Sequence, residues 1–194
     1  MPKIAIPNLL DDGNEPQLSG DTQVDFGRQD AAPPTAAATD SGTGSDPAAK
    51  SIAEVVRTGD LSNMVAQLRG STPGSRELEC LATGVYFESK GEPLAGQLAV
   101  GQVIANRSTS GRFPSSYCGV LFQRGQFSFV RGQTLPSAPR SSSQWKTAVA
   151  IAKIIDRELK QSTVGSALFF HARYVSPGWR LKRVAAIGNH IFYR

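Results

Sequence analysis

Glu88 is the residue whose type and position most clearly predict acid–base chemistry in this chain. It follows Leu81 by seven positions and Val85 by three, so on a helix it continues the apolar stripe and not the exposed face. Burial disfavours the charged form of a carboxyl group, so such a group keeps its proton to higher pH and can serve as a general acid. A buried acid neutralised by an arginine is the structural alternative at this position.

Glu92 is the only other candidate for a catalytic acid. It directly precedes Pro93, where an acid also caps the following helix, so the sequence favours a structural role. From residue 94 onward only Asp156 and Glu158 remain, and both lie among lysines and arginines on a predicted solvated helix face. A two-carboxylate glycosidase needs acids roughly 5–10 Å apart. For a glycan substrate, the shortage of acids favours catalysis by one acid, with a hydroxyl of the sugar as the nucleophile.

The histidines and cysteines give little support for metal chemistry. His171 and His190 are nineteen positions apart, Cys80 and Cys118 are thirty-eight apart, and neither pair has the close spacing of a zinc site. No metal and no other cofactor is therefore predicted. Two states of the cysteines stay open, namely one disulfide in an oxidising compartment or two buried thiols.

Three helices are predicted to position these groups. The first holds Glu88 and is stopped after Lys90 by Gly91, and the second has Pro93 at its first helical position. At the start of the third, Ser141 and Gln144 have the spacing of a capping box. The predicted ranges are 76–90, 93–107 and 143–160.

Between and after these helices the apolar pattern changes to the period of strands. Short strands are predicted over 120–130, 167–175 and 184–193, and Gly188-Asn189 is a hairpin turn signal within the last range. The sequence therefore predicts an α+β body that is mainly helical and carries a small antiparallel sheet.

The charge divides the chain into an acidic arm and a basic body. Residues 1–75 hold ten acids and five bases, whereas residues 76–194 hold six acids and sixteen bases. Residues 1–50 are rich in Ala, Pro, Thr and Ser and are predicted to form a disordered arm. Residues 51–75 are predicted to form a short amphipathic helical segment and linker, which docks on the body or on a larger assembly. The basic body predicts an anionic partner, such as nucleic acid, a membrane surface or a cell-wall glycan.

Two long segments of the body carry a family resemblance. Residues 79–93 (ECLATGVYFESKGEP) and 96–107 (GQLAVGQVIANR) resemble the signature of the cell-wall hydrolase family typified by the spore cortex-lytic enzyme SleB. The resemblance spans residues 76–194, which we take as the domain, and it continues through the segments 112–114, 118–120, 126–128, 170–172 and 187–193.

The resemblance implies a lysozyme-like domain of the lytic transglycosylase type that acts on peptidoglycan. It implies that Glu88 is the catalytic acid and Glu92 the accompanying acid. The implied reaction cleaves the β-1,4 bond between N-acetylmuramic acid and N-acetylglucosamine, and the 6-hydroxyl closes an anhydro ring. Six further positions are predicted as contacts in the substrate groove: Tyr86, Gln126, Phe127, Ser128, His171 and Asn189.

The alternative function is a non-catalytic wall-binding or virion-associated structural protein with the same fold. The dispersed bases and aromatic residues suit single-stranded nucleic acid and sugars equally well, so a nucleic-acid binder is a third possibility. Because the resemblance favours a glycan, no nucleic acid is expected as the partner. The chain has no run of eighteen apolar residues, and its first twenty residues lack the pattern of a secretory signal. The route to the wall or periplasm stays open among a trimmed signal, another exporter, phage lysis and delivery in a virus particle.

Overall fold

The computed structural model describes residues 59–194. The predicted disordered arm, 1–50, and the start of the amphipathic segment, 51–58, lie outside the described residues. Within these residues five helices precede a three-stranded sheet, which confirms the predicted mainly helical α+β body. The elements are α1 (Leu61–Leu68), α2 (Arg76–Ser89), α3 (Leu94–Thr109), α4 (Tyr117–Phe122), α5 (Ser143–Asp156), β1 (Phe169–Ala172), β2 (Arg183–Ile187) and β3 (His190–Tyr193).

Helix α1 is the described part of the predicted amphipathic segment. Asp60 caps its first turn, and Met64, Val65 and Leu68 form its buried face. That face belongs to the hydrophobic core that α2 and α5 also build. The apolar side of α1 is therefore covered by this chain itself, so it gives no support to docking on another assembly.

Helices α2 and α3 begin and end close to their predicted positions. Ser75 starts α2, because its Oγ accepts a hydrogen bond from the backbone N–H of Leu78 at 3.1 Å. The helix ends at Ser89, one residue before the predicted end. Pro93 occupies the N-cap of α3 and not its first helical position, so the predicted start is one residue early.

Helix α5 begins at Ser143 as predicted, but its capping residue and its end differ from the prediction. Its N-cap is Ser142 and not Ser141, because the Ser142 hydroxyl accepts from the backbone N–H of Trp145 at 3.1 Å. The helix ends at Asp156, four residues before the predicted end. Glu158 then adopts a left-handed backbone with φ of 52°, which takes the chain away from the helix axis.

The predicted strand over 120–130 is wrong. Its first residues belong to α4, which Ser116 caps by accepting a hydrogen bond from the N–H of Gly119 at 3.0 Å. Val120 and Leu121 are buried on this helix. A short apolar run fits a buried helix turn as well as a strand, so the pattern alone could not decide between them.

The other two predicted strand regions form the sheet. Strand β1 lies within 167–175, and β2 and β3 form a hairpin around the Gly188-Asn189 turn. The strand order is β1-β3-β2, and both pairs are antiparallel. One face of the sheet packs on α3, where Phe170 and Phe192 join Val100 and Val103 in a buried cluster.

Small residues let the helices approach closely. A Cβ atom on Gly84 would lie 2.6 Å from Cδ1 of Ile104, and one on Gly101 would lie 2.4 Å from Cδ1 of Ile155. Helices α2, α3 and α5 therefore cross with little space between their backbones. Within residues 59–194 no helix is long and apolar enough to span a membrane.

A disulfide bond joins Cys80 on α2 to Cys118 on α4. Of the two states that the sequence left open, the structure contains the paired one. The bond fixes the helix that carries Glu88 to the helix that lies beside it.

Candidate active site

Glu88 lies in the last turn of α2, and its side chain is directed into the protein. Only 6% of the residue is exposed, so its position on the apolar stripe is the one that the spacing predicted. Burial raises the pKa of this carboxyl from 4.5 to about 8, and the positive charge of Arg107 opposes the rise. Glu88 is therefore mostly protonated at neutral pH, as a general acid must be at the start of a reaction.

Arg107, near the end of α3, is the charged partner of Glu88 and is completely buried. Its Nε donates to the carbonyl of Leu168 at 2.7 Å, and its Nη1 donates to Oε1 of Gln126 at 3.2 Å. The guanidinium carbon lies 5.0 Å from the centre of the Phe113 ring. Burial lowers the pKa of Arg107 to about 10. Glu88 thus has features of both predicted roles. Its raised pKa fits a general acid, and the nearby Arg107 fits a buried acid that an arginine neutralises.

The pairing of Arg107 with Glu88 was not predicted from the sequence. Arg107 follows Ile104 by three positions and Val103 by four, so it continues the buried stripe of α3. The same spacing argument that identified Glu88 would have identified this arginine.

Glu92 is held by the hairpin between β2 and β3. Its Oε2 accepts from the backbone N–H of Asn189 at 2.9 Å, and its Oε1 accepts from Asn189 Nδ2 at 3.0 Å. The prediction that Glu92 caps the next helix is wrong, because the N-cap of α3 at Pro93 receives no side-chain hydrogen bond. The carboxylate points instead across the structure, where it fixes the hairpin to the turn between α2 and α3.

His190 is the third member of this hairpin contact. Its Nδ1 lies 3.9 Å from Oε1 of Glu92 and makes no hydrogen bond within the described residues. Burial lowers the pKa of His190, while the charge of Glu92 opposes that change. The neutral form of this imidazole is therefore favoured.

Replacing Gly188 by alanine is expected to lower the free energy of unfolding by about 3 kcal/mol. Gly188 has φ of +56°, and a Cβ there would lie 1.8 Å from Oε2 of Glu92. Gly178 is the matched control, because it has φ of +67° and nothing within 4 Å of its Cβ position. Gly178→Ala should therefore lose only about 1 kcal/mol, from backbone strain alone. Urea unfolding measures both values, and equal losses would contradict a tight contact between Glu92 and the turn.

His171 is buried on β1 in a defined tautomer. The carbonyl oxygen of Ala172 can only accept, so His171 Nδ1 donates to it at 2.9 Å. The other ring nitrogen, Nε2, then accepts from the hydroxyl of Tyr193 at 2.8 Å. The two rings stack with their centres 5.2 Å apart. This histidine is thus part of the sheet face that is directed away from α3.

The remaining predicted groove contacts differ in exposure. Tyr86 is 6% exposed, and its ring lies 4.8 Å from Nζ of Lys90. Gln126 is bound to Arg107, and Phe127 is only 2% exposed and lies in the core. Ser128 is exposed, as is Asn189. The structure thus brings Gln126 and Phe127 to Arg107, and it brings Asn189 to Glu92.

Metal ligation has no support in the described part of the chain. No group of three or more His, Cys, Asp or Glu residues within 59–194 is arranged to hold a metal ion.

The fold and the motifs around this acid define the class of protein. The profile of a family described as Cell Wall Hydrolase matches residues 91–193. The chain therefore belongs to the cell wall hydrolase family, whose members are glycan-cleaving enzymes of the cell wall. Glu92 lies inside the matched range, and Glu88 lies three residues before it.

Within this class the chain is similar to spore cortex-lytic enzymes. It is 30% identical to that of Bacillus cereus over 119 residues, which is 60% of this chain and 43% of the relative. It is 31% identical to that of Bacillus subtilis over 121 residues, which is 61% of this chain and 37% of the relative. The chain thus spans about two fifths of the length of these curated relatives.

Two solved structures share the fold. The catalytic domain of the Bacillus cereus SleB protein is 28% identical with a TM-score of 0.50, and the match covers 64% of this chain and 98% of that one. The catalytic domain of the germination-specific lytic transglycosylase SleB from Bacillus anthracis is 31% identical with a TM-score of 0.51, covering 62% and 96%. The SleB-type resemblance predicted from the sequence is confirmed.

Proposed function

We propose that this chain is a lytic transglycosylase that degrades peptidoglycan with Glu88 as its single catalytic acid. The bond cleaved is the β-1,4 linkage from N-acetylmuramic acid to N-acetylglucosamine, and residues 76–194 form the catalytic domain. The observation that carries the proposal is a buried carboxyl group whose pKa of about 8 keeps it protonated at neutral pH, on a domain of this family.

The proposed reaction moves one proton out of Glu88 and one proton back. Glu88 first protonates the glycosidic oxygen, and the bond from that oxygen to C1 of the muramic acid breaks. The carboxylate then takes the proton of the 6-hydroxyl while O6 forms a bond to C1. Water is not consumed, and the products are a free 4-hydroxyl and a 1,6-anhydro ring. The buried charge of Arg107 stabilises the carboxylate that exists between the two steps.

The contacts of Glu92 support catalysis by one acid. Both of its carboxylate oxygens accept hydrogen bonds from Asn189, and its side chain is only 8% exposed. A carboxylate engaged in this way is poorly placed to act as a nucleophile or to activate water. We therefore assign Glu92 the task of fixing the hairpin next to the site.

The other predicted contacts divide by their burial. Ser128 and Asn189 are exposed, and they are the proposed groove contacts. Four residues are buried and are proposed to support the groove wall from beneath: Tyr86, Gln126, Phe127 and His171.

Mass analysis of the fragments released from purified peptidoglycan tests the proposed reaction. The expected products end in 1,6-anhydro-muramic acid, because the 6-hydroxyl of the sugar replaces water as the nucleophile. Fragments that carry an ordinary reducing end would show hydrolysis instead. If the protein sediments with sacculi but the suspension of sacculi loses no turbidity, the result would favour the alternative, a non-catalytic wall-binding protein.

The disulfide bond fits a protein that acts outside the cytoplasm, at the cell wall. Disulfide bonds persist in oxidising environments such as the periplasm and the cell exterior. The bond between Cys80 and Cys118 therefore supports action at the cell wall.

A further inference from the structure

The sheet end of the described structure carries positive charge that no aspartate or glutamate of residues 159–194 offsets. Residues 159–194 contain six lysines and arginines and no aspartate or glutamate. Arg173, Arg180, Lys182, Arg183 and Arg194 are all exposed. The rest of the basic body is less one-sided, because residues 76–158 hold ten bases and six acids.

The backbone brings two of these charges directly opposite each other. The N–H of Lys182 donates to the carbonyl of Arg194 at 3.3 Å, and the N–H of Arg194 donates to the carbonyl of Lys182 at 3.0 Å. Residues that exchange both bonds lie opposite each other with their side chains on the same face. Like charges in this position destabilise a strand pair. A binding role would explain why such a pair is tolerated.

Aromatic rings lie on the sheet face that is directed away from α3, which Arg183 shares, whereas side-chain alternation puts Lys182 and Arg194 on the other face of the same sheet end. Arg183 is paired with Tyr193, and paired residues share a face. The Trp179 ring lies 5.7 Å from Tyr193 and 6.2 Å from Phe169. On the far side, the Arg112 guanidinium lies 5.7 Å from the centre of the Phe169 ring. The partly exposed rings of Trp179 and Tyr193 thus lie between Arg183 and the buried Phe169, whose ring Arg112 contacts. We call Arg112, Trp179, Lys182, Arg183 and Arg194 the basic sheet end.

Three carboxylates of the described residues are engaged elsewhere in the fold. Glu77 accepts from the backbone N–H of Cys118, Glu79 pairs with Arg140, and Glu92 binds the hairpin turn. Within residues 59–194 no salt bridge joins any cation of the basic sheet end to an acid. Within the described residues this surface therefore has no anionic counterpart, and an anionic partner suits it.

We propose that the basic sheet end binds the carboxylate groups on the peptide stems of peptidoglycan and retains the domain on its polymer. This inference rests on the proposed function, which makes peptidoglycan the polymer at hand. Arginine offers a planar fork that matches a carboxylate, and a ring such as Trp179 stacks on the apolar face of a sugar. The carboxylates of the peptide stems are spaced along the glycan. The cations of the basic sheet end are likewise spread along the end of the sheet, with aromatic rings between them.

The test measures retention on sacculi of the full chain carrying Glu88→Gln, so that cleavage does not remove binding sites. In this background Lys182→Gln, Arg183→Gln and Arg194→Gln together are expected to lower the ratio of bound to free protein about tenfold at low salt. The matched control is a second triple variant that removes the same number of positive charges from exposed positions on other surfaces. It combines Arg131→Gln, Lys146→Gln and Arg157→Gln. The control should change the ratio less than about twofold. Equal losses in the two triple variants would overturn the proposal.

Chemically modified sacculi identify the anion that is bound. Amidation of the peptide carboxylates should lower retention of the parent to the level of the sheet-end variant. Removal of wall phosphate polymers by acid should leave the difference between the two proteins unchanged. Loss of the difference after phosphate removal would overturn the proposal in favour of a phosphate polymer. Retention on DNA that depends on the sheet end, with none on sacculi, would overturn it in favour of nucleic acid.

The outcome is independent of the proposed reaction. A chain that binds through the basic sheet end but releases no anhydro-muramic product contradicts the proposed reaction alone. A chain that releases this product, but whose sheet-end variant binds like the parent, contradicts the surface alone.

Discussion

The variant Glu88→Gln is expected to cleave peptidoglycan about a thousandfold more slowly than the parent, because it has no proton to give to the glycosidic oxygen. Glutamine keeps the size and polarity of the protonated carboxyl group, so the buried position should stay filled. The rate of turbidity loss of a suspension of purified sacculi measures the effect. A variant that clears the suspension at the rate of the parent would contradict the assignment of Glu88.

The matched control for this variant is Glu158→Gln. Glu158 is exposed, and its substitution removes the same carboxylate from the end of α5. It should retain the activity of the parent.

The pH dependence of kcat/KM gives a second measure of the same group. This parameter reports the pKa of an essential acid in the free enzyme. Because Glu88 acts in its protonated form and its pKa is raised to about 8, kcat/KM should fall as the pH rises above that value. A fall that begins near pH 5 would indicate a solvated acid in the catalytic role.

The sequence predicted the parts of the site that depend on local spacing. Glu88 was identified because three and seven residues separate it from apolar neighbours on the same helix. The hairpin was identified because Gly188-Asn189 supplies a turn that requires positive φ, and Gly188 has φ of +56°. Both signals are complete within about ten residues, so neither depends on the rest of the fold.

Contacts between distant segments were not predictable in the same way. The partner of Glu92 is Asn189, ninety-seven positions away, and no local pattern marks either residue for the other. The local pattern suggested a helix cap instead, which the structure contradicts. Cys80 and Cys118 are a further case, because spacing cannot tell a disulfide from two buried thiols. Such contacts depend on how the helices and the hairpin pack, which the sequence pattern does not specify.

Glu88→Gln is also expected to make the protein more stable, by an amount that grows with pH. The ordinary pKa of this group is 4.5, and in the folded protein burial raises it to about 8. Between these values the unfolded chain releases a proton that the folded chain keeps, so ionisation stabilises only the unfolded state. The parent therefore loses stability as the pH rises from about 4.5 to about 8, whereas glutamine does not titrate. The expected gain is about 1 kcal/mol at pH 5 and about 3 kcal/mol at pH 7.

Urea unfolding of the parent and the variant at both pH values measures this gain, and Glu158→Gln is again the control, with no pH-dependent gain expected. A gain for Glu88→Gln that is the same at both values would show that the carboxyl is ionised in the folded protein at neutral pH. It would then be unavailable as a general acid. The loss of activity and the gain in stability have one physical origin, because the burial that keeps the proton on Glu88 also weakens the fold. Arg107 reduces that cost but does not remove it, since its charge only partly opposes the effect of burial on the pKa of Glu88.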